Sequence, residues 1–139
     1  MRSILFGFDN TREAALGSLG LLILRLGVGL TMLFAHGWGK MMRLGDSPIQ
    51  FADPFGLGPA ISLGLTVFAE VFCSLAIVLG LFTRAAAIPL AITMLTAIFI
   101  IHADDPWQKQ EFALMYLIPY VTLMLAGAGK YSLDARLRK

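Results

Sequence analysis

The stretch LLILRLGVGLTMLFAHGWGKM, residues 21–41, decides the fold. It is long enough to cross a bilayer as a helix, is interrupted by Arg25, and closes on Trp38 and Lys40, residue types that settle at headgroup level. Working outward, the first span is expected over about residues 16–41. The rest of the 139 residues have the same character, 58% hydrophobic and 14% charged. A mean hydropathy of +0.77 lies well above that of a water-soluble domain. The first dozen residues, MRSILFGFDNTR, mix charge, Phe and Gly and lack the long apolar region of a cleaved signal peptide, so none is expected.

Downstream of the first span, RLGDSPIQFADPFGLGP contains Pro48, Pro54 and Pro59, which block a continuous helix, and Phe51 and Phe55, which supply apolar anchors. It is read as a loop lying on the membrane surface. A second span is expected over about residues 60–82, apolar except for Glu70, and a tight turn at Thr83 and Arg84 returns the chain into a third over about 85–102. ADDPWQKQ then breaks the pattern, and a fourth span over about 111–127 contains Pro119 and stops at Gly127 and Gly129. The fold class is therefore all-α, a single four-transmembrane-helix bundle over residues 1–139.

Lys and Arg set the orientation. Of the eleven, Arg2, Arg12, Arg84, Lys130, Arg136, Arg138 and Lys139 would share one side and Lys40, Arg43 and Lys109 the other. The positive-inside rule then puts both termini in the cytoplasm, N-in and C-in, in a multi-pass plasma (bacterial inner) membrane protein. A formal net charge of +2 with no basic stripe argues against nucleic-acid binding. The lone Cys73 excludes an internal disulfide or a CxxC couple and reads as a small buried hydrophobe.

An ionised group inside a bilayer costs about 2.5–3.5 kcal/mol on insertion scales, so Arg25 and Glu70 each need a partner. Counted from the expected span edges they fall at similar depth, which predicts an Arg25–Glu70 ion pair. Such a pair could fix helix register alone, or could position a polar substrate and tune a nearby proton acceptor. Arg25, Gly29, Met32, His36 and Lys40 are spaced four, three, four and four apart and share one helical stripe.

His36, Lys40, His102 and Glu111 gather at the outer ends of three spans. They have the residue types for proton-coupled chemistry, although interfacial anchoring uses the same residues. The candidate catalytic residues are therefore His36, Glu70, His102 and Glu111, and the candidate substrate contacts are Arg25, Lys40, Tyr116 and Tyr120, the two tyrosines lying one turn apart. No HxxxH or ExxH spacing fixes two His and a Glu on one face, so no metal is expected. No cofactor can be named from the residues.

With these residues in view, the chain resembles the DoxX (DoxX/DoxD-like) family of small membrane proteins. The similarity is carried by LLILRLGVGLTMLFAHGWGKM at 21–41, FAEVFCSLAIVLGLFTRAAA at 68–87, IHAD at 101–104 with QEFALMYL at 110–117, and GAGKYSLD at 127–134. The resemblance implies a four-helix membrane bundle with Arg25, His36, Gly37, Lys40, Glu70, Arg84, His102, Glu111 and Asp134 as the polar positions of the pattern. It also implies a component of a membrane oxidoreductase system handling quinone or thiol and sulfur compounds, with quinone as the cofactor such a system would use.

Two other readings stay open. One is a non-enzymatic scaffold or assembly factor that docks a redox enzyme through residues 43–59, and the other is a small transporter. The expected partners are membrane lipid, a redox-enzyme subunit and a second copy of the chain.

Overall fold

The computed structural model describes residues 10–138. The expectation about a leader, which falls mainly on residues 1–9, and the charges of Arg2 and Lys139 lie outside the described residues. Every regular element among the described residues is helical.

Helix α1 runs Asn10–Gly45, α2 Pro59–Leu79 and α3 Thr83–Ile101, and these three are long and apolar enough to cross a membrane. Helix α4, Trp107–Ala126, lies along α3, and a short α5 spans Leu133–Leu137. The 36-residue α1 starts before and ends after its expected span, because nothing in NTREAA opposes a helix and its C-terminal end stops only at Gly45. Neighbouring helices run antiparallel in the order α1–α2–α3–α4, and α4 also touches α1.

The exterior is as apolar as the interior. Phe34, Phe68, Phe99 and Leu125 point outward, Leu125 with 75% of its surface exposed, while Met32, Ile77, Leu90 and Leu123 fill the centre. In water such a surface would drive aggregation, whereas lipid tails solvate it without cost. Because lipid is as apolar as the core, helix association must come from close packing. Gly29 and Gly37 let α1 touch the α2 backbone: a Cβ on Gly29 would lie 3.1 Å from the Ser74 carbonyl oxygen, and one on Gly37 2.6 Å from that of Glu70.

Helix ends are set locally. Pro59 opens α2, with Asp53 accepting from the Leu57 and Gly58 amides and the Ser62 hydroxyl. Gly80 takes a left-handed turn that closes α2, and the Leu81 amide returns to the Ala76 carbonyl. The N-terminus of α3 is capped from far along the chain, since both carboxylate oxygens of Asp134 accept from the Phe82 and Thr83 amides.

Three helices widen into π-helical turns, at Met32–Gly37 in α1, Phe68–Cys73 in α2 and Ala97–Ile101 in α3. There the Trp38 amide reaches back five residues to Leu33, and that of His102 to Ala97. All three turns face the same region of the bundle.

Candidate functional site

The depth of each charge follows from the α1–α2 register. Gly37 of α1 touches Glu70, Gly29 touches Ser74 and Val78, and Arg25 meets Gly80. Glu70 therefore sits beside the C-terminal end of α1, and its partner is Lys40, whose Nζ lies 2.8 and 2.6 Å from the two carboxylate oxygens. Arg25 is fifteen residues earlier, about 22 Å away along the axis at roughly 1.5 Å per residue. Its guanidinium, 1% exposed, donates to the Tyr131 carbonyl at 2.7 Å and lies near Asp134.

The expected Arg25–Glu70 pair is thus replaced by Lys40–Glu70 at one end and by an arginine pinning the C-terminal segment at the other. The depth count failed because it began α1 near residue 16, whereas α1 begins at Asn10 and meets the C-terminal end of α2, Gly80, only at Arg25.

Around Lys40 and Glu70 lies a cavity of about 590 Å³. Each of the three π-helical turns lines it, through Met32 and His36, through Ala69 and Glu70, and through Ala97 and Ile101. A π turn carries one residue more than an α turn and so re-aims the side chains that follow, which explains its frequent use at functional sites. Most of the remaining wall is apolar. Loop 46–58 forms the roof with Phe51, Pro54 and Phe55, so the segment expected on the membrane surface folds back over the helix ends.

His36 packs edge-on against Tyr116, with ring centroids 5.4 Å apart, and against Phe112 at 5.7 Å, closing the α1–α4 side. Tyr116 stacks on Tyr120, which is fully buried below the cavity. At the mouth, His102 Nδ1 lies 2.6 Å from Asp105, whose carboxylate also accepts from Lys109 at 3.3 Å. Those two contacts, His102 first, hold the Asp105 carboxyl below the ordinary carboxylate range. The Nδ1 contact with Asp105 holds the orientation of the His102 ring at the mouth.

The structure therefore brings His36, Lys40, Glu70, His102 and Tyr116 to one cavity. It does not bring Glu111, which is exposed, nor Arg25 or Tyr120. Sequence reasoning missed Asp105, Lys109 and Phe112. The i, i+3 spacing of His102 and Asp105 and the i, i+4 spacing of Phe112 and Tyr116 were readable signals. The inward fold of Phe51 and Phe55 had no linear signal.

Chemically, the arrangement is a mostly apolar chamber with a few convergent polar groups, the usual form of a small-molecule site. Lys40 neutralises Glu70, so both charges tolerate a low-dielectric wall. The lysine ammonium also has donor capacity left for a ligand oxygen. The two imidazoles add ring nitrogens that can donate to or accept from a ligand.

Comparison with known proteins accords with this architecture. The chain is 32% identical over 146 residues to an uncharacterized membrane protein of Mycobacterium tuberculosis, covering 88% of this chain and 84% of the relative. It is 30% identical to the Inner membrane protein YqjF of Escherichia coli, covering 89% and 96%. A Bacillus subtilis protein named "Putative oxidoreductase CatD" is 28% identical, covering 84% and 85%. No solved structure matches the chain. The DoxX family model matches residues 20–103, which include α2, α3 and most of α1, and the chain is accordingly a multi-pass membrane protein belonging to the DoxX family.

Proposed function

We infer that this chain is a component of a membrane oxidoreductase system and that its cavity holds a quinone. The observation that carries this reading is the convergence of His36, Lys40, Glu70 and His102 on one apolar chamber. A quinone ring needs flat apolar walls and a donor for each carbonyl oxygen, and Tyr116, Phe112, Lys40 and His36 have those properties. Glu70 and His102 take and pass on the protons of the hydroquinone form. With a single cysteine this sequence holds no dithiol couple, so the other half-reaction belongs to a partner redox protein. The name of the Bacillus subtilis relative points the same way.

The same reading takes α4 as a fourth span. Its 20 residues reach about 30 Å, the thickness of the hydrocarbon core, and it packs along α3. With the N-terminal end of α1, the α2–α3 turn and the tail all at one end, the Lys and Arg distribution supports a cytoplasmic location for that end. The cavity then opens on the outer side of the bacterial inner membrane, a location in keeping with the name of the Escherichia coli relative.

The test is binding of a benzoquinone to purified protein in lipid nanodiscs, with His36→Ala and Glu70→Gln beside the unaltered chain. Saturable binding weakened by both substitutions is expected. Absence of binding, together with no quinone in the extracted lipid, would sink the reading.

A further inference from the structure

The cavity is closed on some sides and open on another. On the α1–α4 side the His36 ring sits against Phe112 and Tyr116. Between α2 and α3 the packing changes along the axis. The segments Phe68–Cys73 and Ser74–Leu79 of α2 lie against α3, while the outer third, Pro59–Val67, packs on the outer end of α1 instead. The two helices therefore diverge outward from their tight turn at Gly80, and the wedge between them is part of the cavity.

Leu65 and Phe68 of α2 and Ile92 of α3 line that wedge while more than half their surface faces outward, 55%, 51% and 54% respectively. Such side chains belong to both the chamber and the lipid. The charged groups lie away from the wedge's outward-facing side chains, Lys40 on α1 beside His36, Glu70 on α2, and His102 at the mouth.

We propose that this wedge is a lateral portal. Through it a lipid-resident amphiphile, a polar aromatic head on a long hydrocarbon tail, passes from the adjoining leaflet into the cavity. The head comes to rest at Lys40, Glu70 and His36, and the tail remains in the bilayer between Leu65, Phe68 and Ile92. This proposal rests on the quinone reading of the chamber and adds the route and the tail. A cavity of about 590 Å³ suits a head of that size, and an apolar opening at membrane depth offers a tail continuous solvation while keeping water from the ion pair. A head without a tail would gain from the chamber alone.

Two probes separate the portal from the chamber. The first is a tail-less dimethoxy-methyl-benzoquinone. The second is the same ring with a decyl tail ending in a diazirine. Both are added to the unaltered protein in nanodiscs. Binding of each is measured by calorimetry, and light-induced labelling by the second is mapped by peptide sequencing, counting only labelling that excess tail-less ring displaces.

The expected result is that both bind, the tailed probe more tightly, with displaceable label on Leu65, Phe68 and Ile92. If both bind but the displaceable label falls on Ile23 and Met115, across the α1–α4 groove, or on the roof loop, the portal is wrong and the chamber stands. If neither binds, the chamber reading fails and the portal fails with it.

Discussion

At the scale of single residues, the ion pair and the glycine beside it carry the clearest consequences. Glu70 is 2% exposed and has Lys40 on both oxygens, so Lys40→Met leaves a buried carboxylate alone. Losing one partner of a buried pair costs about 3–5 kcal/mol, whereas replacing both by apolar groups is often near neutral. Denaturant unfolding in detergent should therefore show Lys40→Met well below the unaltered chain and Lys40→Met with Glu70→Leu close to it. Equal loss in both would mean that the pair is not the stabilising contact.

Gly37 and Gly39 make a matched comparison two positions apart. A Cβ at 37 would lie 2.6 Å from the Glu70 carbonyl oxygen and one at 39 meets nothing within 4 Å. Thermal unfolding should report a loss of roughly 1–3 kcal/mol for Gly37→Ala and a gain of up to about 1 for Gly39→Ala. The stripe from Arg25 to Lys40 was legible because helical period alone defines it. The partner of Glu70 was not, since pairing across two helices depends on their relative shift, and no local residue encodes that shift.

At the scale of elements, the C-terminal segment acts as the cap of a helix to which it is not adjacent. Burial pulls the Asp134 carboxyl upward, but the Thr83 and Phe82 amides outweigh it and hold the group below the ordinary carboxylate range. Its folded value is lower than its unfolded one of about 3.9, so its contribution is complete above that value and fades as pH falls through the folded value.

Asp134→Asn should therefore be less stable than the unaltered chain at pH 7, by about 1 kcal/mol on the scale of cap substitutions, and the gap should narrow on acidification below pH 4. Melting curves between pH 3 and 7 check it, and a gap constant with pH would refute it. Neither this cap nor the π-helical turns were readable beforehand. A cap normally sits next to its helix, and a π turn has the residue content of any α turn.

At the scale of the whole molecule, apolar runs and their punctuation were enough for the class. Pro59, Pro106 and Gly127 mark helix ends in the sequence as they do in the structure, whereas the turn expected at Thr83 and Arg84 falls at Gly80, and Thr83 already opens α3. Orientation is the property most open to direct measurement. Cysteines introduced at Arg84 and Asp104, in a Cys73→Ala background, should react with a membrane-impermeant maleimide only from inside and only from outside respectively. Labelling at 84 from outside would invert the topology and turn the cavity toward the cytoplasm.

The π-helical turns make the chamber depend on how its helices are wound as well as on which residues they carry. Winding Met32–Gly37 as α with no residue removed would turn everything after it by about 100°, one residue's share of a turn, and swing Lys40 off Glu70 with no side chain altered. The wider turn thus keeps the later side chains in phase with the earlier ones, so the winding between Met32 and Lys40 is as much a part of this chamber's chemistry as the residues themselves.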